Sequence, residues 1–147
     1  MKEELNLILC AFEKIKREKF DKSLYQNRLI VQKLAYAMKF MNYSIPYKFY
    51  WHLMGPYSKE LTADIFSSNI SEPVSTTDIT KIQGFIQGEI DNPDRMELIA
   101  SIMYLVREPG RSLDKEDDLI FTLQSLKPKF TIIEIKGAIQ KIKSIVS

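Results

Sequence analysis

Chemistry in this chain would have to start from His52, from the acidic run Asp114-Lys-Glu-Asp-Asp118, or from the lysines near the C-terminus. His52 is the only histidine and Cys10 the only cysteine. A transition-metal centre needs three or four ligands drawn mainly from those types, so neither has the partners it would require. As a general base, His52 would need a nucleophile and an orienting carboxylate, and no nucleophile-elbow or comparable motif accompanies it. Asp114, Glu116, Asp117 and Asp118 form a dense carboxylate cluster suited to magnesium. A solvated helix start, where the dipole favours negative charge, is the simpler reading. Neither G-x-x-x-x-G-K-S/T nor G-x-G-x-x-G occurs, so no phosphate cradle is expected. We expect no catalytic residues, no bound metal, no cofactor and no enzymatic activity.

Two lysine groups bear on nucleic acid. Lys14, Lys16, Arg17, Lys19 and Lys22 are interleaved with Glu13, Glu18 and Asp21, which reads as a solvated helix end. Lys127, Lys129, Lys136, Lys141 and Lys143 have only Glu134 among them. Lys136 and Lys143 lie seven apart on one helix face, and with Lys141 they form the candidate phosphate-contacting set.

The densest feature is Tyr47-Lys-Phe-Tyr-Trp-His-Leu-Met-Gly-Pro-Tyr-Ser58, with five aromatics in twelve residues. Tyr47, Phe49, Trp51 and Leu53 alternate with Lys48, Tyr50, His52 and Met54, the two-residue period of a strand. The first set is expected to face the core. Tyr50, His52 and Tyr57 are left on the other side, where amphipathic rings suit an interface. With Ser58 and Lys59, they are the candidate partner-binding residues.

These side chains must be positioned by a mainly helical scaffold. Leu5, Ile8, Leu9, Phe12 and Ile15 define an amphipathic helix over 3–18. A second, over 24–42, is apolar on more than half its circumference and is expected to be the most buried. Pro46 stops helix, and the strand over 47–53 is expected to end at Gly55-Pro56. Ser58 caps a helix to about Ser67, with Glu60 in its first turn. A loop covers 68–77, with a short strand around Val74, and a helix diluted by Gly84 and Gly88 covers 78–90. Asn92-Pro93-Asp94 starts another helix, which Pro109-Gly110 ends. Asp114 is expected to cap the next, to about Leu126. Thr131-Ile-Ile-Glu134 is a capping box, and Phe130 with Ile135 is its hydrophobic staple.

The totals bound the class. At 147 residues, 45% hydrophobic and 27% charged, the chain fits one globular domain over 1–147. A net charge of +2 is low for a dedicated nucleic-acid binder. Charges break the first apolar run at Glu13, which argues against a signal peptide. No stretch reaches the ~20 apolar residues of a membrane span. We therefore expect no membrane association, a cytoplasmic location, and Cys10 as a reduced, buried hydrophobe.

Arg28-Leu-Ile-Val-Gln-Lys-Leu-Ala-Tyr36, the Tyr47–Ser58 segment and Leu61-x-x-Asp64 resemble the YwgA-like family of small prokaryotic proteins. Arg95-Met-Glu-Leu-Ile-Ala100 and Leu126-Lys-Pro-Lys-Phe-Thr-Ile-Ile-Glu-Ile135 extend the similarity to most of the chain. That family has no established reaction, so the resemblance implies no activity. The Gln32-Lys-Leu-x-Tyr36 helix and Gly-Pro turn are also distantly similar to Panacea antitoxin-like domains, which implies toxin neutralisation and regulated degradation. The helix–strand–helix order of the first half resembles the start of a winged-helix domain.

The fold expected is a single-domain, mainly α bundle of six to seven helices with one small β element, winged-helix-like in its first half. The function expected first is a non-enzymatic regulatory module that binds a protein partner, or a second copy of itself, through the aromatic segment. The alternatives are a winged-helix-like DNA-binding regulator and an antitoxin-like protein.

Overall fold

In a computed structural model that describes residues 1–146, the chain is mainly helical with one small antiparallel sheet. The elements run α1 (Glu3–Lys16), α2 (Tyr25–Phe40), β1 (Tyr50–His52), β2 (Gly55–Tyr57), α3 (Lys59–Ser67), α4 (Thr80–Ile86), α5 (Pro93–Arg107), α6 (Glu116–Leu126) and α7 (Ile132–Val146). One continuous hydrophobic core draws side chains from all seven helices. No helix among the described residues is long and apolar enough to cross a membrane.

The core is built on the pairing of α2 with α5. Each is buried around most of its circumference, as expected of helices enclosed by others. Helix α1 lies beside α2, and α7 packs on α5 and α6. Cys10 is buried in α1.

Several ends are fixed as the sequence implied. The Ser58 hydroxyl accepts from the Leu61 amide at 3.2 Å, and Asn92 Oδ1 accepts from the amides of Asp94 and Arg95. In the capping box, Glu134 N donates to Thr131 Oγ1 at 3.1 Å while Thr131 N donates to Glu134 Oε1 at 3.0 Å. Phe130 and Ile135 are both buried beneath it.

Other boundaries differ. Helix α1 stops at Lys16 because Arg17 takes a left-handed conformation (φ 61°) and its amide closes on Glu13 O. Asn42 does the same after α2 (φ 71°). Asp114 does not cap α6, which starts two residues later behind Lys115. The Ser112 hydroxyl instead accepts from the Asp114 amide, making a turn ahead of the helix. Val74 is exposed and in no strand, and the helix expected over 78–90 is regular only over Thr80–Ile86.

The aromatic segment is the largest correction. It is a hairpin in which Gly55-Pro56 opens the second strand instead of ending the first. Tyr50 stands opposite Tyr57, Trp51 opposite Pro56 and His52 opposite Gly55. Pro56 has no N–H, so its pair is the one that exchanges no ladder bonds, and the proline costs the sheet nothing there. Alternation holds from buried Tyr47 through buried Phe49 to half-buried Trp51. It fails at Leu53, which sits at the hairpin tip and is 85% exposed. The hairpin lies back on α2 and α5 and does not project from the fold, so it does not form a wing.

Candidate binding cleft at the hairpin

A buried ring cluster seats the hairpin. The Tyr36 ring meets Phe49 edge-on at 5.1 Å and Tyr104 at 5.8 Å, and Trp51 lies 5.5 Å from Tyr104. The Tyr36 hydroxyl donates to Glu108, and its phenol pKa is raised by burial and then by that carboxylate. The Tyr47 hydroxyl donates to Asp64 Oδ2 at 2.6 Å, tying the incoming strand to α3. Burial first, and then Asp64, raise its pKa as well.

Polar side chains that apolar periodicity passes over hold the hairpin from behind. Lys33 is 1% exposed, and its ammonium donates to Pro56 O at 2.7 Å. Desolvation lowers its pKa from 10.5 to about 7, Glu97 opposing the shift and Lys127 adding to it. Lys127, also buried, donates to Leu53 O at 2.6 Å and stands 5.1 Å over the Trp51 ring. Its charge is matched by Glu97 Oε2 at 2.8 Å, while Lys129 takes Glu97 Oε1 at 2.9 Å. Two hairpin carbonyls are thus held by ammonium groups gathered around one buried carboxylate. Gly55 fits here because its φ is +93° and a Cβ would come within 3.0 Å of Ser101 Oγ.

In front of this clamp, α2, the hairpin and α3 enclose an open cleft of about 390 Å³. Leu29 and Met54 give it apolar lining. Tyr25 and Phe66 also line it, 60% and 52% exposed. The Arg28 guanidinium lies 5.8 Å from the Tyr25 ring centroid and 5.3 Å from that of Phe66, and Nη1 donates to Lys22 O at 2.7 Å. On the hairpin side, His52 and Tyr57 stack at 5.1 Å with 32° between the rings. The Thr62 and Tyr57 hydroxyls are hydrogen-bonded at 2.8 Å.

Of the residues singled out by sequence, His52 and Tyr57 line this cleft. Tyr50 shares their face of the hairpin and is exposed, but is not part of the lining; Lys59 is exposed at the start of α3. Ser58 must be removed from the partner-binding set. It is fully buried, its hydroxyl caps α3, and Gln32 takes its N–H and C=O at 2.8 and 2.9 Å. Tyr25, Arg28 and Phe66 were not singled out, though Arg28 lies three residues along the helix from Tyr25.

The lysines assigned to phosphate contact diverge. Lys136 is exposed. Lys141 is bound to Glu89 at 3.1 Å and sits over the Phe85 ring, and Lys143 stands 3.9 Å from Glu116. The acidic run is also engaged, since Arg111 Nη1 reaches both Asp118 oxygens and Gln140 reaches Glu116. Among the described residues, no group of three His, Cys, Asp or Glu is arranged to hold a metal ion.

No family model, no curated protein and no solved structure matches this chain.

Proposed function

We propose that the protein is a non-enzymatic interaction module whose partner, another protein or a second copy of the chain, docks in the cleft between α2, the hairpin and α3. The observation that carries this reading is the mouth of the cleft. Tyr25 and Phe66 are both more than half exposed at one edge of a concave, partly apolar surface. Rigid aromatic anchors beside a fixed guanidinium are the composition of binding hot spots. The scaffold behind is stiff, since the Gln32 amide and the Lys33 and Lys127 ammonium groups fix the hairpin and the start of α3. A preformed cleft loses little ordering entropy on binding.

DNA binding through the C-terminal helix has less support. Two of its three lysines already face carboxylates, and pairing of that kind reduces the number of phosphates a surface can neutralise.

The test is site-specific photocross-linking in cells, with the photoreactive residue at position 66 and, for comparison, at exposed position 121 on α6. The reading expects a discrete cross-linked species from 66 that is absent from 121 and reduced by Tyr57→Ala. Equal labelling from both positions would contradict it.

A further inference from the structure

Three of the five arginines have a carboxylate partner: Arg95 with Glu89 at 2.7 Å, Arg107 with Glu108 at 3.6 Å and Arg111 with Asp118 at 2.8 Å. Arg17 is exposed and closes α1 through its backbone. Arg28 differs from all of these. It is half-buried and held beside two rings and by the Lys22 carbonyl, and has no carboxylate within ion-pair distance among the described residues. Fixing the side chain removes much of the rotamer entropy that ion-pair formation otherwise costs an arginine.

The surroundings hold no opposing charge. No Asp or Glu lines the cleft among the described residues, so nothing in the lining neutralises Arg28. Behind Lys33, the buried Glu97 is already engaged by Lys127 and by Lys129, which also pairs with Asp94. The Tyr57 hydroxyl adds a neutral polar group to the lining.

We propose that Arg28 is an anion receptor for a side-chain carboxylate in an acidic peptide segment, with a neighbouring large apolar side chain of that segment lying against Leu29, Met54 and Phe66. This rests on the reading of the cleft as a docking surface and names the chemistry of its occupant. Peptide fits better than nucleic acid because one recessed guanidinium among apolar side chains suits a single carboxylate. A phosphate backbone needs several exposed cations along its path. A volume of about 390 Å³ accommodates a few side chains.

The probe is a fluorescein-labelled, C-terminally amidated octapeptide alternating Glu with Leu and Phe, set against the same peptide with Gln in place of Glu. Anisotropy titrations should show at least about tenfold tighter binding of the acidic form, weakening with salt. Arg28→Gln should abolish that preference in a protein that still unfolds cooperatively, with a slightly lower thermal midpoint, while Lys136→Gln on α7 leaves it intact. Phe66→Ala should weaken both peptides together.

Equal affinity for the two peptides, no binding of either at millimolar concentration, or an acidic preference that survives Arg28→Gln would each overturn the assignment. Tighter, Arg28-dependent binding of a labelled duplex DNA would overturn it too, replacing peptide with nucleic acid. Cross-linking from position 66 is independent of the occupant's charge. Specific cross-linking together with equal peptide affinities would therefore remove the carboxylate and leave the docking surface standing.

Discussion

Replacing Lys33 with methionine should change how stability depends on pH, and the size of the change follows from burial. The folded pKa is about 7 against the ordinary lysine value of 10.5. In the unfolded chain the amine therefore holds its proton up to about pH 10.5, while in the folded protein it loses it near neutrality. The unfolded state binds more protons between those limits, so stability rises with pH across them. The contribution is fully present above 10.5 and is lost as pH falls through about 7. At ~1.4 kcal/mol per unit of pKa difference, the whole span is worth roughly 5 kcal/mol. Between about pH 7 and about pH 9 the gain is about 2 kcal/mol, a large share of the ~5–15 kcal/mol stability of a typical domain. Urea unfolding at several pH values, for the protein and for Lys33→Met, isolates this contribution, because every other group titrates in both. Wild-type stability should rise by about 2 kcal/mol more than that of the variant over that interval. Loss of the bond to Pro56 O shifts the variant's curve without changing its slope. Parallel curves would refute the reasoning and mean that Lys33 keeps its charge through ordinary solvation.

Glu97→Gln should be costlier. It leaves Lys127 buried without its counter-charge, which costs ~3–5 kcal/mol in comparable buried pairs, measurable by urea unfolding at neutral pH. Ser101→Ala should be neutral or mildly stabilising, since its buried hydroxyl has no hydrogen-bond partner to lose; a drop above about 1 kcal/mol in the same assay would contradict this. Gly55→Ala should cost about 1–2 kcal/mol through its φ of +93° and the approach to Ser101 Oγ, read as a lower thermal midpoint.

Helix identities were legible because periodicity and capping chemistry agree. Thr131 and Glu134, Asn92 and Ser58 each announce an N-terminus in their side-chain chemistry, and each makes the implied bond. The hairpin was not legible as a hairpin. Its turn is Leu53-Met54, without the Asn-Gly or Asp-Gly that usually marks one, and the positive φ falls on Gly55 instead. Reading Gly-Pro as a break was reasonable chemistry, but a proline at a position without ladder bonds is compatible with pairing.

The polar clamp was hidden for a different reason. Lys33 lies three residues from Ile30 and from Tyr36, on the face of α2 that points inward. Glu97 and Ser101 are one turn apart in an otherwise hydrophobic run of α5 from Met96 to Val106. Charged residues at such positions are normally read as surface, and only the hairpin carbonyls and Lys127 explain why they are inside. Half of the cleft was visible in the sequence as His52 and Tyr57. The other half, Tyr25, Arg28 and Phe66, comes from two helices that only the fold brings together.

The affinity of the partner recovered by cross-linking from position 66, measured for the wild-type protein and for Tyr57→Ala, tests the docking cleft most directly. The account predicts at least about tenfold weaker binding by Tyr57→Ala, with the thermal midpoint little changed because that ring is only half-buried. Unchanged affinity in a folded Tyr57→Ala variant would contradict it and return the aromatic segment to a purely structural role.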